Sequence, residues 1–520
     1  MTPTAQIKLN AILDKLPYAR GASWDLDSVC LAGTRLDLLD DIMKWIRAPT
    51  TTGGAEIYWL TGVAGSGKSA VAHSVAQLCT ESTIAFSSFF FNHQIAGLNS
   101  PQTLFSTIAY DLSQANRDFA VKIASAIELD QSLASSPISR QFKELILGPA
   151  LQTFKEKLFV IILDALDEGC SHSLLKILSN EISCLPPCFR IFLTSRAEAK
   201  IVSALSHCAH IQAMELSTDG QANLGDVDIY IQHRLGHLAT QMQLGEFWPG
   251  PKLLADLRKK AEGLFLWVAT VCDYLHTVVS PTKQLERLLS EEIVSGHPAE
   301  EKMDRTYMAI LSSCNWQDDD FVQGYHLVMG VIMAAKTPLS MSAIQALHGT
   351  SLQLPVSAIL NPIRSLLNAQ AFSECTHPVT ILHQSLHEFI TTRAQASPDG
   401  QQFYLSEMEH SQRLALFCLN LMNMGLKENM PGTGYLSVDN ADQVDGIPQI
   451  TGDEVAEELW YACRFWMDHV LKIRTPTVGV IASLKTFLSG KAVLWTEVLA
   501  LGGSFRGIIE VQKWSQVSTT

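Results

Sequence analysis

The run Ile57-Tyr-Trp-Leu-Thr-Gly62-Val-Ala-Gly65-Ser-Gly67-Lys68-Ser69-Ala70 constrains this chain more than any other part, because an apolar strand passes there into a glycine-rich loop ending in Gly-Lys-Ser. Glycines let successive backbone N–H groups turn toward one anion, a lysine sets a point charge beside the β- and γ-phosphate oxygens, and the following hydroxyl suits Mg2+. Residues 70–79 carry helical spacing in Ala70, Val71, Val75 and Leu78, so a helix follows whose positive dipole end faces the same anion. The spacing predicts the phosphate-binding loop of a nucleoside triphosphatase. Gly62, Val63, Ala64, Gly65, Ser66, Gly67, Lys68, Ser69 and Ala70 would surround the phosphates.

A second run, Leu158-Phe-Val-Ile-Ile-Leu163-Asp164-Ala165-Leu166-Asp167-Glu168-Gly169, is continuously apolar until its acids. A strand without alternation is covered on both faces, as in a doubly wound sheet, and ligands gather at the carboxyl ends of such strands. Asp164 is thereby placed to hold Mg2+ together with Ser69. Asp167 and Glu168 lie one turn on, where a carboxylate can orient attacking water, although acids are also favoured at any helix N-terminus. A third strand, Phe189-Arg-Ile-Phe-Leu193-Thr194-Ser195-Arg196, ends in a polar trio. Arg196 there is positioned for a γ-phosphate, the alternative being a cap on the next helix or a pair with a surface acid.

With these residues in view, the chain resembles the NACHT branch of the signal-transducing P-loop NTPases, most closely fungal NOD-like receptor proteins. Beyond the phosphate loop, the resemblance rests on Asp164-Ala-Leu-Asp167-Glu168, Phe-Leu-Thr-Ser-Arg196, Gly263-Leu-Phe-Leu-Trp267-Val-Ala269 and Leu382-His383-Gln-Ser385-Leu-His387-Glu-Phe389. Cys30-Leu-Ala-Gly33-Thr34-Arg35, with the amphipathic run to Trp45, extends it toward the start, and it continues through Trp495. The resemblance implies a switch that holds ADP between the NTPase core and a winged-helix domain, and that opens and oligomerises when ATP replaces ADP. It also implies that His383 touches the ADP phosphates. This sequence departs from the family at His93, where the Phe89-Phe90-Phe91-Asn92-His93 strand usually ends in arginine, and Gly263-Leu264-Phe265 lacks the proline of the Gly-x-Pro that relatives outside the fungal group often carry near the adenine. Ala165 stands where many vigorous ATPases keep a glutamate, which implies slow hydrolysis.

Composition narrows the function classes. The net charge of −14, from 38 basic and 52 acidic residues, argues against a general nucleic-acid binder, which needs a basic face. The 11 cysteines form no paired C-x-x-C units, so reduced thiols in a cytoplasmic protein are expected and zinc is not. No apolar run spans a bilayer, and the first residues lack a signal core.

Along the chain, the expected fold class is an α/β P-loop NTPase core, a parallel sheet flanked by helices, followed by helical and winged-helix domains and an α-rich C-terminal region. Expected strands cover residues 57–60, 84–91, 158–163, 189–193 and 210–216, with helices at 35–47, 104–112, 119–129 and 142–147. Residues 253–274 and 284–293 carry helical patterns; 341–347 is a helix, 379–382 a short strand, 406–424, 455–473 and 483–502 helices, and 429–452 a loop. The expected division is a lead and helix at 1–54, the core at 55–225, a helical linker domain at 226–320, a winged helix at 321–400 and a helical region at 401–520. No internal repeat of solenoid or propeller period is evident in the sequence.

Two classes of function follow. The first is an ATP/ADP-binding signalling switch with weak Mg2+-dependent ATPase activity, working through self-association or signalling protein partners. The second is an interaction scaffold holding nucleotide only structurally; a GTP-specific switch is a further alternative, because no Asn-Lys-x-Asp run reads guanine yet the adenine contacts are equally unassigned. Relatives carry an effector module and a repeat array, so the chain is either a fragment without them or a minimal form.

Overall fold

The computed structural model describes residues 3–154, 156–290, 298–368, 370–428, 430, 433, 454–501 and 507–518. It divides into two compact units, Met1–Met303 and Asp304–Thr520.

The first unit is built on five parallel strands, β1 (Glu56–Thr61), β2 (Ala85–Phe90), β3 (Phe159–Asp164), β4 (Phe189–Ser195) and β5 (Ile211–Glu215), in the order β2-β3-β4-β1-β5. The three inner strands are buried along their whole length, as their unalternating apolar runs require. β5 lies at an edge and is largely exposed. β4 separates β1 from β3, with Thr61 in register with Ser195 and Leu163 with Leu193. The polar end of β4 is thereby inserted between the glycine loop and Asp164.

Helices cover both faces. On one side α1 (Pro3–Leu13), α4 (Leu104–Ala115), α5 (Arg117–Leu129) and the helical run from Ile138 to Thr153 pack Phe105, Ile108, Phe119, Phe142 and Phe159 into one core. On the other, α2 (Leu36–Arg47) and α3 (Lys68–Glu81) bury Ile42, Ile46, Val71 and Val75 against Tyr58, Val160 and Phe192. α1 was not anticipated in the 1–54 lead, yet Leu9, Ile12 and Leu13 belong to the first core. The 142–147 segment is a π-helical stretch inside a longer helix.

After the sheet come α6 (Gln221–Gln241), α7 (Pro251–Ala261) and α8 (Phe265–Thr277). The periodic pattern at 253–274 is broken in two, because Glu262 and Gly263 both take left-handed conformations, with φ of 46° and 75°. A Cβ on Gly263 would sit 1.9 Å from the Thr218 carbonyl oxygen, so the break is set by a close backbone approach.

In the second unit, α9 (Asp319–Ala334), α10 (Met341–His348), α11 (Gln384–Thr391), α12 (Glu407–Gly425) and α13 (Glu457–Val470) dominate. The strand expected at 379–382 is replaced by two isolated antiparallel bridges, Ser340 with Pro378 and Leu367 with Ile381; a proline, lacking N–H, cannot continue a ladder. The 483–502 pattern resolves into two helices, Val478–Gly490 and Ala492–Leu501, bent by 74°. Among the described residues no single helix is long and apolar enough to cross a membrane. The loop expected at 429–452 lies almost wholly outside the described residues.

Two histidines in this unit are buried as neutral rings. The His410 ring lies against Gly330 of α9, and His469 pairs its Nε2 with the Tyr461 hydroxyl at 2.7 Å. Burial, helped by nearby Arg413, lowers the His410 pKa to about 4; burial, helped by Lys336 and Lys472, lowers that of His469 to about 3. The unfolded chain takes up these protons first, so their stabilisation is present above pH 6.5 and lost as pH falls toward the folded values. We expect each to cost about 2 kcal/mol of stability by pH 5. Urea midpoints at pH 7 and pH 5 measure the loss, which should shrink in His469→Gln.

Candidate functional site

β1 delivers the chain into the glycine loop, and Gly65 and Gly67 take φ of 79° and 93°, values that only glycine adopts freely. Gly67 is then the N-cap of α3. The Lys68 Nζ donates to the Gly62 and Val63 carbonyls, both at 2.9 Å, which holds the ammonium within the loop. Burial lowers its pKa to about 8, against the opposing pull of Asp167 and Asp164. A desolvated ammonium of this kind gains strongly from an arriving anion.

Asp164 ends β3 and is 3 % exposed. The Thr194 hydroxyl, from the intervening β4, donates to its Oδ1 at 2.5 Å and accepts from the Ala165 N–H at 3.0 Å. The Ser69 side chain is near enough to the Asp164 carboxyl to favour its charged form. Burial raises the Asp164 pKa to about 6, while Thr194, Ser69 and Lys68 pull the other way. A carboxylate and a hydroxyl meeting at the mouth of a phosphate loop are the donor set that a hard divalent cation takes. The residues present therefore fit Mg2+.

Ala165 sits in the left-handed region, φ 53°, and turns the chain sharply off the sheet into the short helix Leu166–Gly169. That turn brings Asp167 and Glu168 back to the strand ends. Asp167 accepts from the Arg196 backbone N–H at 2.9 Å and meets the Arg196 Nε at 3.3 Å. Glu168 accepts from the His93 N–H at 3.1 Å, with the His93 Nδ1 3.4 Å away. Gly169 allows the turn, since a Cβ there would run into the Phe91 ring at 2.0 Å.

The first unit therefore brings together the loop residues, Ser69, Asp164, Asp167, Glu168 and Arg196. Arg196 pairs with Asp167, so two residues read separately in the sequence form one unit. His383 lies in the second unit as the N-cap of α11, where its Nδ1 accepts from the Ser385 N–H at 3.1 Å. Sequence reasoning did not single out Thr194, whose signal is its place two residues before Arg196. It also missed the Glu168 partnership of His93 and the Arg35 side chain, which reaches the loop from behind.

A parallel sheet with its phosphate loop on β1, an acid at the end of β3 and a polar β4 between them defines a P-loop NTPase core. Residues 33–196 match the family model described as Nephrocystin 3, N-terminal. The chain is also 23% identical over 386 residues to the vegetative incompatibility protein HET-E-1 of Podospora anserina, a match covering 69% of this chain and 26% of that protein. It thus spans about a quarter of that relative's length. The chain carries a P-loop NTPase core and resembles the fungal NOD-like receptor proteins, as its motifs imply. Among solved structures, Drosophila ORC bound to DNA aligns at 10% identity and TM-score 0.34, covering 74% of this chain and 92% of that one. Cdc6p of Pyrobaculum aerophilum aligns at 12% identity and TM-score 0.31, covering 73% and 96%.

Proposed function

We propose that this chain is a nucleotide-gated signalling switch that binds ATP or ADP with Mg2+, hydrolyses ATP slowly, and opens and self-associates when ATP replaces ADP. The observation that carries the reading is a glycine loop that holds the Lys68 ammonium on the Gly62 and Val63 carbonyls, with Asp164, fixed by Thr194, at the neighbouring strand end and Ser69 close by, which supplies phosphate charge and metal ligands together. In this reading Gly62 to Ala70 hold the phosphates, Ser69 and Asp164 hold Mg2+, and His383 senses ADP. Slow turnover is supported by Ala165 next to Asp164 and by the engagement of both further acids, Asp167 by Arg196 and Glu168 by His93. A carboxylate already committed to a guanidinium or a histidine is a poor base for water until that partner moves. The domain division at 54, 225, 320 and 400, with a winged helix at 321–400 and a cytoplasmic setting, belongs to the same proposal.

The Arg196–Asp167 pair suggests how triphosphate is told from diphosphate: a γ-phosphate competes with Asp167 for the guanidinium. Arg196→Ala should weaken ATP binding about 10-fold and leave ADP affinity within about twofold. Equal loss of both would remove the sensing role. The switch itself is tested by light scattering: ATP added to the ADP-bound protein should raise its mass to that of a multimer, whereas an unchanged mass would favour a scaffold.

A further inference from the structure

Arg35 is the least expected residue near the loop. It is the N-cap of α2, left-handed with φ 58°, yet its side chain makes no capping hydrogen bond and is 6 % exposed. One guanidinium nitrogen donates to the Ser66 carbonyl at 2.8 Å and to the Asn223 Oδ1 at 2.6 Å. The other terminal nitrogen lies 3.8 Å from Asp226, and the guanidinium sits over the Phe265 ring, 4.9 Å from its centroid. Asn223, 4 % exposed, is fixed in turn by donating to the Thr218 and Gly263 carbonyls at 2.7 and 3.0 Å. A second grip lies alongside, where the Leu266 N–H donates to the Gly65 carbonyl at 3.2 Å. Helices α2, α6 and α8 thus hold two consecutive carbonyls of the glycine loop.

A trans peptide is planar, with its C=O and the following N–H pointing opposite ways. A guanidinium bonded to the Ser66 carbonyl therefore also fixes the direction of the Gly67 N–H, at a glycine with φ of 93° whose missing Cβ would otherwise leave the backbone free to rotate. Phosphate loops bind through such N–H groups, and aiming them in advance removes an ordering cost from binding. A planar fork that bonds two acceptors and stacks on a ring does this; a lysine does not.

We propose that Arg35 is a positioning residue for phosphate, which holds the Ser66–Gly67 peptide in its anion-binding orientation and ties the glycine loop to the 221–277 helices. This rests on the nucleotide reading above. The test is titration of wild type and Arg35→Lys with N-methylanthraniloyl-ADP and Mg2+, competition by ADP and by adenosine, and melting of each nucleotide-free protein. A phosphate-positioning role predicts that Arg35→Lys weakens ADP about 10-fold while adenosine competes as it does in wild type. The nucleotide-free melting temperature should stay within about 2 °C. Equal weakening of ADP and adenosine would show a merely structural residue, and unchanged ADP affinity would refute the inference alone. A wild type that takes up no ADP would refute the nucleotide reading and this inference with it. Should Arg35→Lys not fold, Asn223→Ala, which removes the 2.6 Å partner and leaves the charge, must show the same loss for ADP only.

Discussion

Lys68→Ala should abolish nucleotide retention, with ADP affinity falling at least about 100-fold while the nucleotide-free protein stays folded. The two halves of that expectation share one cause. Lys68 holds its ammonium against the Gly62 and Val63 carbonyls, and burial lowers its pKa to about 8. Burial works against the charge and a phosphate beside it would work for it, so its removal should cost binding more than stability. Isothermal titration with Mg-ADP and a thermal melt separate the two. Retained ADP in the purified variant would contradict the site.

The second large effect belongs to Gly263→Ala. The new Cβ would meet the Thr218 carbonyl oxygen at 1.9 Å and the Asn223 Nδ2 at 2.4 Å, at a backbone φ of 75°. Backbone cannot yield as a side-chain tip can, so the expected cost is at least about 3 kcal/mol. The melting temperature of the first unit should fall by at least about 5 °C. Gly53→Ala is the control: its φ is 77°, but nothing lies within 4 Å of the added Cβ. It should pay only the left-handed backbone cost of about 1 kcal/mol. Equal losses in the two variants would mean that conformation, not the close approach, constrains Gly263. Gly263→Ala should also weaken ADP, because Asn223, bonded to the Gly263 carbonyl, holds Arg35 on the loop, and Leu266, just after the turn, bonds the Gly65 carbonyl.

The parts of the fold that were legible in the sequence are those whose signal is local. All five strands were placed within a residue or two, the three inner ones because buried parallel strands are continuous apolar runs bounded by polar ends. The glycine loop was readable because its chemistry is compressed into a few consecutive residues. The break at Glu262 and Gly263 was hidden, since apolar spacing continues across it and only the contact with Thr218 reveals it. The 379–382 segment kept a strand-like composition but found no ladder. Contacts between distant residues left the weakest trace: Arg35 meets Ser66 and Asn223 across 31 and 188 residues, and His93 meets Glu168 across 75. Periodicity says which face a residue lies on but not which distant group it will touch. That is also why Asp167 and Arg196 were read as two roles and proved to be one pair.

The central claim is that the strand ends of the first unit form a nucleotide site whose occupant sets the state of the protein. The most direct test is to denature freshly purified protein, identify the released small molecule by chromatography, and repeat this with Lys68→Ala. Wild type should release close to one adenosine diphosphate per chain, and the variant none. Wild-type protein that releases no nucleotide and takes up none with Mg2+ present would contradict it.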